Sequence, residues 1–252
     1  MKLEVLLSAL NLDMKELKKQ NIKTDCVVIN QCNQNEYKKH KNFKIYSCKE
    51  RGISRSRNKA LEKSTGDILL FCDDDIKYVD NYEEIIKNAF KNNPKADIIF
   101  FNLNKFNEDA IYNKKNKRLH IYNCLRYGTV NMAVKKESIK NIKFNELFGS
   151  PKYYKNGEDT LFIVDCLKNG LRLYSSKEFI GEINNFKSTW FKGYNEKYFF
   201  DRGAIFCAIS KKLRKLLFLQ YLIRYKSTYK EIGFKNAFSI MEKGAKSYLE
   251  KK

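Results

Sequence analysis

The chain has 252 residues and a net charge of +21, with 50 Lys and Arg residues against 29 Asp and Glu residues. A hydrophobic fraction of 43% can build a sizeable core, which excludes a fully disordered protein. The length suits one α/β domain, alone or with a helical appendage. No run of 18 or more apolar residues occurs, which excludes a membrane-spanning helix.

The positive charge suggests three classes of anionic partner: a nucleic acid, an anionic membrane surface or a phosphorylated small molecule. A lysine-rich composition without any ligand explains the same excess. The seven cysteines form no C-x-x-C pair, which argues against a zinc site or a disulfide framework and predicts a reducing, cytoplasmic location. Cys26 and Cys72 lie in apolar runs and are expected in the core. The N-terminus is typical of a strand rather than of a signal peptide.

Short apolar runs alternate with helix-like segments through the first hundred residues. Strands are predicted at residues 3–10, 24–31, 42–48, 67–72 and 96–103. Helices are predicted at residues 14–20, 54–64 and 81–91. Continuous apolar strands separated by helices are typical of a mostly parallel sheet that is covered on both faces.

The second half of the chain has a weaker pattern. Residues 104–118 are polar and are predicted to form a loop. The further elements expected are a strand at 129–134, a helix at 158–168 and a strand or hairpin at 171–183. From about residue 201 only helix-like segments occur, and this tail carries 13 Lys and Arg residues against 4 Asp and Glu residues.

Three consecutive carboxylates, Asp73, Asp74 and Asp75, directly follow the apolar run at 67–72. Unpaired charges are costly to bury, and ligands of parallel α/β sheets bind at the carboxyl ends of the strands. Like charges repel unless a cation lies between them. The cluster therefore predicts a Mg²⁺ or Mn²⁺ site that bridges to phosphate oxygens. A solvated acidic turn before the next helix is the alternative.

A second group of polar residues surrounds the start of the helix predicted at 54–64. Ser54 is placed to cap this helix, and Arg55 and Arg57 follow in its first turn. Cations at that position oppose the helix dipole, so they predict that an anion such as a diphosphate binds at this helix start. A surface turn in a protein rich in Lys and Arg is the alternative.

A third group begins the helix predicted at 158–168. Asn156 and Gly157 form a turn, and Glu158 and Asp159 open the helix that follows. The functional interpretation is a general base presented at a helix N-terminus. The ordinary electrostatics of a helix start explains the same two acids without any function.

In their order and spacing, these three groups resemble glycosyltransferase family 2, whose members are inverting, nucleotide-sugar-dependent enzymes. The family pattern, roughly G-x-S-x-A-R-N-x-G followed by G-D-x-x-x-F-x-D-x-D, is matched between Gly52 and Asp75, with Ser56 and Ala60 in place of the Ala and the last Gly of the first part. The family's G-E-D is matched by residues 157–159. The resemblance covers roughly residues 1–190. It implies the GT-A fold, a Rossmann-like α/β arrangement whose mostly parallel central sheet is flanked by helices, here with a C-terminal helical extension.

The resemblance also implies roles for individual residues. Asp75 would bind a Mn²⁺ or Mg²⁺ ion directly, and Asp73 would lie near the ribose and reach the metal through water. Asp159 would be the catalytic base, with Glu158 beside it near the acceptor. The other residues expected at the nucleotide-sugar site are Ser8, Asn30, Arg57, Asn58 and Asp74. Trp190, the only tryptophan, is expected either to stack on a sugar or to lie in the core or a lid.

The sequence departs from the family pattern in two further places. Asn30 lies in the stretch where the family commonly has an Asp that reads the nucleobase, and an amide can still hydrogen-bond a base edge. Some members add a late His to the metal shell, but His40 and His120 are the only histidines here and both precede the G-E-D match. The metal is therefore expected to rely on Asp75, phosphates and water.

The resulting hypothesis is an inverting transferase for bacterial surface polysaccharide synthesis that moves a sugar from a nucleotide sugar, with UDP favoured, to a glycan or lipid-linked acceptor. Residues 1–103 would form the nucleotide-sugar-binding half and residues 104–200 the acceptor-binding half, followed by a basic helical region at 201–252. A non-catalytic nucleotide-sugar-binding protein or a nucleotidyltransferase is the alternative. A nucleic-acid-binding protein is disfavoured, because no signature of one occurs and the acidic motifs would stay unexplained.

The helical tail leaves two interpretations open. Residues 204–226 combine apolar and cationic side chains on one predicted helix. Such a segment either lies on an anionic membrane surface, which would place the protein at the inner face of the cytoplasmic membrane, or packs its apolar face on the catalytic domain or on another subunit of a homo-oligomer.

Overall fold

The computed structural model of the chain describes residues 1–104, 111–183 and 193–252. The strands in these ranges are β1 (Leu3–Leu10), β2 (Asp25–Gln31), β3 (Glu36–His40), β4 (Phe43–Cys48), β5 (Ile68–Asp73), β6 (Ile76–Tyr78), β7 (Ile98–Asn104), β8 (Lys117–Leu119), β9 (Met132–Lys135) and β10 (Leu173–Ile183). The α-helices are α1 (Met14–Lys19), α2 (Ile53–Lys63), α3 (Tyr82–Asn92), α4 (Glu158–Lys168), α5 (Glu196–Ile209), α6 (Arg214–Arg224) and α7 (Phe234–Glu250).

All the described strands belong to one sheet with the order β3-β4-β2-β1-β5-β9-β7-β10-β6, and β8 pairs with β10. Neighbouring strands in β4-β2-β1-β5 are parallel, as are β7 and β10, whereas β9 runs antiparallel between β5 and β7. The expected α/β fold with a mostly parallel central sheet is confirmed. The parallel strands carry near-continuous apolar runs because helices cover them on both faces.

Two apolar clusters lie on opposite faces of the sheet. One contains Leu17 of α1 and Phe90 of α3, and the other contains Ala60 of α2 and Phe162 of α4. In α3 the side chains of Tyr82, Ile86 and Phe90 are buried at a spacing of four residues, which is the periodicity that predicted this helix. Cys26 and Cys72 are buried in the first cluster, as expected.

The start of α2 differs from the prediction. The helix begins at Ile53 and Gly52 is its N-cap residue, with a φ of 118° that favours glycine. Ser54 is not the cap, because its hydroxyl is buried and donates a hydrogen bond of 2.6 Å to the carbonyl oxygen of Phe148. This serine therefore joins α2 to the segment that leads into α4.

Three further elements refine the expected ones. The segment at 171–183 is one strand, β10, whose register shifts between Ser175 and Gly181 let it pair with β7 in parallel and with β6 and β8 in antiparallel. The loop expected at 104–118 includes the start of β8, and its residues 105–110 lie outside the described range. The strand β3 was not predicted, because all five of its residues are exposed.

The C-terminal helices form a third apolar cluster together with Phe148, Tyr154 and Leu161. Helices α5 and α7 cross closely, since a Cβ atom at Gly203 would lie 1.9 Å from the carbonyl oxygen of Met241. The packing interpretation of the tail therefore holds for part of its apolar surface. Within the described ranges, no helix combines the length and the apolarity that crossing a bilayer requires.

Candidate active site

The candidate active site is a cleft at the carboxyl ends of β1 and β5, next to the N-termini of α2 and α4. The cavity has a volume of about 640 Å³. The predicted site residues that line it are Ser8, Arg57, Asp73, Asp74, Asp75, Glu158 and Asp159. Segments that are far apart in the sequence thus bring their polar side chains to one edge of the sheet, as expected for ligand sites in open α/β sheets.

Arg57 is the centre of the charge network in this cleft. Its guanidinium donates hydrogen bonds to Asp159 Oδ1 at 2.5 Å and to Asp73 Oδ1 at 3.4 Å, and it lies 3.5 Å from Glu158 Oε1. Its side chain is only 5% exposed. Burial alone would lower the pKa of Arg57. The carboxylates of Asp159, Asp73 and Glu158 raise it by a larger amount, so the net shift of the pKa is upward. The arginine stays charged and joins the aspartate cluster to the acids of α4.

Asp159 is held by three donors. Besides Arg57, the hydroxyl of Thr129 donates to Asp159 Oδ1 at 2.8 Å, and the backbone N–H of Thr129 donates to Asp159 Oδ2 at 3.1 Å. Gly128 leaves room for this contact, since a Cβ atom there would lie 3.0 Å from Asp159 Oδ2. The carboxylate therefore has one defined orientation, with part of its side chain open to the cleft.

Glu158 lies deeper beside Asp159, with a side chain that is 15% exposed. Burial raises the pKa of Glu158, Asp159 raises it further, and Arg57 opposes both. The turn before it depends on Gly157, which has a φ of 104° and packs so tightly on Ile205 of α5 that a Cβ atom would lie 2.4 Å from that side chain. The C-terminal helices thus support the loop that presents both acids.

The aspartate cluster has a different environment. Asp73 is bound by Arg57, but Asp74 and Asp75 form no salt bridge with any residue in the described ranges. Burial raises the pKa of Asp75 to about 6, and the charges of Asp73 and Asp74 add to the effect. Burial also raises the pKa of Asp73, and Arg57 lowers it. The negative charges of the three carboxylates repel one another, and a bound cation would reduce this repulsion.

The donor set fits a hard divalent ion. Carboxylate oxygens are the ligands that Mg²⁺ and Mn²⁺ prefer, and Mg²⁺ sites commonly use one or two carboxylates together with water and substrate phosphates. Across the residues that the structure describes, no group of three His, Cys, Asp or Glu side chains is arranged to surround a metal. Asp75, with Asp73 beside it, could therefore hold such an ion only as part of a shell that a ligand completes.

Two predicted residues do not line the cleft. The side chain of Asn30 accepts a hydrogen bond of 2.9 Å from the backbone N–H of Leu12, which holds the loop after β1. The side chain of Asn58 points to the segment before α4, where it donates to the carbonyl oxygen of Phe144 at 2.9 Å and accepts from its N–H at 2.8 Å. Ser8 reaches the cleft and accepts a hydrogen bond from Ser56 at 2.8 Å. Trp190 lies outside the described residues.

Sequence analysis missed one residue that orients Asp159 and one that holds the loop before α4. Thr129 was predicted only as the start of a strand, and nothing in its neighbourhood indicates a bond to Asp159. Asp201 is buried in α5, where its carboxylate accepts hydrogen bonds from the N–H of Lys155 at 3.1 Å and from Lys197 at 2.5 Å. The available signal was that Asp201 is a lone Asp in a basic, aromatic-rich segment. An acid that is buried in such a segment requires donors, and these lie in the loop before α4 and in α5.

The family model described as "Glycosyl transferase family 2" matches residues 17–153, more than half of the chain and the part that carries both Arg57 and the aspartate cluster. The chain belongs to glycosyltransferase family 2. This family 2 enzyme is a glycosyltransferase, and the expected family resemblance is confirmed. No curated protein matches the chain.

Solved structures with the same fold are remote in sequence. The crystal structure of residues 1–349 of TarS from S. aureus is similar with a TM-score of 0.64 and 15% identity, covering 98% of this chain and 83% of that one. The TarS 1–349 complex with UDP-GlcNAc has a TM-score of 0.64 and 17% identity over 95% and 76% of the two chains. The mannosyltransferase PcManGT from Pyrobaculum calidifontis, in complex with GDP-Man and Mn²⁺, has a TM-score of 0.55 and 12% identity over 99% and 75%. These similarities confirm the GT-A fold of this family 2 glycosyltransferase.

Proposed function

We propose that this glycosyltransferase moves a sugar, with inversion, from a nucleotide sugar to a hydroxyl of a glycan or lipid-linked glycan in bacterial surface polysaccharide synthesis. A UDP-sugar is favoured as donor, since TarS, which shares the fold, has been solved with UDP-GlcNAc. Residues 1–103 would bind the donor, residues 104–200 the acceptor, and residues 201–252 would support the catalytic part. Family membership favours transfer over a nucleotidyltransferase or a non-catalytic binding protein.

The donor end of the cleft is the aspartate cluster. Asp75 is proposed to bind a Mn²⁺ or Mg²⁺ ion directly and Asp73 to reach it through water, in a shell completed by the donor diphosphate. When bound, this ion supplies a positive charge that stabilises the leaving diphosphate. Ser8 and Asp74 line the same end of the cavity. Support for a metal comes from Asp74 and Asp75, which form no salt bridge within the described ranges, and from the Mn²⁺ that accompanies GDP-Man in PcManGT.

The acceptor end is built around Asp159. Its carboxylate is proposed to accept the proton of an acceptor hydroxyl while the oxygen attacks the anomeric carbon from the side opposite to the leaving diphosphate. A single displacement of this kind inverts the configuration of that carbon. Thr129 and Arg57 fix the orientation of the carboxylate, which general-base catalysis requires. Glu158 stays beside it as an electrostatic neighbour.

One observation carries the proposal: Arg57 bonds to a residue of the aspartate cluster and to the proposed base at the same time. Asp73 is 16 residues from Arg57 in the sequence and Asp159 is 102 residues away. A donor diphosphate that contacts Arg57 would therefore lie between the proposed metal ligands and the proposed base. This order of groups is the one that an in-line displacement at the anomeric carbon requires.

The stereochemistry of the product tests this proposal without knowledge of the natural acceptor. The protein would be incubated with UDP-GlcNAc and Mn²⁺, using water as a slow acceptor, and the first released sugar would be observed by proton NMR before it mutarotates. We expect UDP release and the anomer opposite to that of the donor. Release of the same anomer would contradict inversion, and consumption of the donor without UDP would indicate a nucleotidyltransferase.

A further inference from the structure

The outer face of α6 carries an apolar stripe that is exposed. Leu216 and Ile223 are 62% and 63% exposed, and Leu219 between them is 39% exposed. At about 100° per residue these three side chains point within roughly 60° of one another. The opposite side of the helix, with Phe218 and Leu222, is fully buried in the cluster that it forms with α5 and α7. The helix thus packs on the protein through one apolar face and presents a second.

Exposed cations accompany this stripe along the chain, and no acid lies among them. Of the exposed cations, Lys215 and Arg224 belong to α6, Lys211 and Lys212 directly precede it, and Lys226 follows it. No Asp or Glu occurs between residues 211 and 226, and the remaining cation there, Arg214, is paired with Glu242 of α7 at 2.9 Å. By the helical periodicity, Lys215 and Arg224 lie on the two sides of the stripe.

We propose that this face, called the α6 surface, docks the protein on an anionic lipid bilayer with the helix axis parallel to the membrane plane. The three aliphatic side chains would enter the boundary between headgroups and acyl chains, and the five cations would contact anionic headgroups. Each contribution is modest alone. Attachment by a combination of buried apolar area and several cations near the surface is strong enough for peripheral binding.

The charge of the α6 surface selects the bilayer over other occupants. Against a second copy of the chain, the same five cations would face one another without a single acid to pair with, so a symmetric contact would repel. A nucleic acid would satisfy the cations, but it would leave the aliphatic stripe next to a hydrated phosphate backbone. Only an anionic surface with an apolar interior complements both features.

This docking does not depend on the proposed reaction. None of its side chains lines the cleft at Arg57 and Asp159, so substitutions on the α6 surface are expected to leave UDP release unchanged. A failure of the donor assays would overturn the proposed function and leave the docking testable by itself.

The test is vesicle flotation of the whole protein, with phosphatidylcholine vesicles compared with vesicles that also contain phosphatidylglycerol. The apolar variant is Leu216→Ser with Ile223→Ser, matched by Ile111→Ser, whose side chain is 81% exposed elsewhere. The charge variant is Lys212→Glu with Lys215→Glu, matched by Lys39→Glu in the exposed strand β3 with Lys41→Glu just after it. Melting temperature and UDP release report on the integrity of each variant.

We expect binding to the anionic vesicles only, and a partition coefficient that falls by about tenfold or more in both α6 variants. Both control variants should bind like the natural chain. Absence of binding would overturn the proposal. Binding that falls equally in the variants and in the controls would overturn it too, because it would show an unspecific electrostatic attraction. Concentration-dependent dimerisation that the Leu216→Ser/Ile223→Ser change abolishes would overturn it in favour of a second copy. Duplex DNA that competes for the same residues would overturn it in favour of a nucleic acid.

Discussion

The carboxylates at the two ends of the cleft differ in how many partners the protein gives them. Asp159, at the acceptor end, receives hydrogen bonds from Arg57 and from both donors of Thr129. Asp74 and Asp75, at the proposed donor end, have no cationic partner in the described residues, although Asp73 beside them is bound by Arg57. The pKa of Asp75 is raised to about 6. The protein therefore orients one end by itself and leaves the other to be completed by a ligand.

This contrast matches what each end would do. A general base contributes when its position is fixed before the substrate arrives, because a misplaced base loses much of the rate. A carboxylate that binds a cation directly, as proposed for Asp75, must instead be free of internal cations. Removing the bonds of Asp159 should therefore cost rate and stability, whereas replacing Asp75 should cost ligand affinity and gain stability.

The largest effect, a loss of rate, is expected for Asp159→Asn at the proposed acceptor end. An amide cannot accept the proton, so UDP release from UDP-GlcNAc should fall by about 10²–10⁴-fold while donor affinity changes little. The matched control is Asp165→Asn on the same helix, which lies outside the cleft and should retain activity. Unchanged UDP release in Asp159→Asn would break the assignment of the base.

Arg57→Met should be the most destabilising change. The substitution leaves carboxylates of Asp73, Glu158 and Asp159 without their shared cation, and breaking a buried ion pair in this way typically costs about 3–5 kcal/mol. Arg55→Met in the same helix removes an exposed pair with Glu146 and should cost about 0–1 kcal/mol. Urea denaturation measures both values. Equal losses would show that Arg57 is not the centre of the network.

Thr129→Val separates orientation from chemistry. The variant keeps the backbone bond to Asp159 and removes the hydroxyl bond, which is worth about 1.5–3 kcal/mol when the partner is charged. We expect UDP release to fall by about tenfold or more with donor affinity unchanged. Thr228→Val removes a hydroxyl bond to the neutral carbonyl oxygen of Tyr225, outside the cleft, and serves as the control for the loss of a threonine hydroxyl. An unaffected rate in Thr129→Val would mean that the base needs no such support.

The smallest effect should have the opposite sign. In metal-free buffer at pH 8, Asp75→Asn should raise the free energy of unfolding by about 1 kcal/mol, allowing for solvent screening, because the charged carboxylate is disfavoured in the folded state. The raised pKa also means that the folded state takes up the proton first. The gain should therefore shrink as the pH falls from about 6 to 4. A loss of stability would show that Asp75 is already satisfied by the protein.

The fold was predictable because its central strands are short apolar runs that are separated by helix-like segments. Strand β3 was not, since its exposed residues are held by pairing with β4 and not by burial. The start of α2 was misplaced by one residue, because the hydroxyl of Ser54 bonds to Phe148, 94 residues away. The local sequence around Ser54 does not indicate such a long-range contact.

The candidate site shows the same division. The acids and Arg57 were predictable because each stands in a short motif, and the cleft brings them together. The roles of Thr129 and Asp201 depend on contacts with residues 30 and 46 positions away, which neither spacing nor composition indicates. The motifs therefore predict which groups could do the chemistry, and the tertiary contacts determine which of them are held in place.

The central claim is that a nucleoside diphosphate and a divalent ion complete the aspartate cluster at the proposed donor end of the cleft. Titration calorimetry with UDP, in Mn²⁺ and in EDTA, tests it most directly on the natural chain, on Asp75→Asn and on Asp80→Asn, an exposed control that pairs with Lys23. We predict binding in Mn²⁺ that weakens at least tenfold in EDTA and in Asp75→Asn, with Asp80→Asn unchanged. Equal affinity for UDP in all of these conditions would contradict the claim.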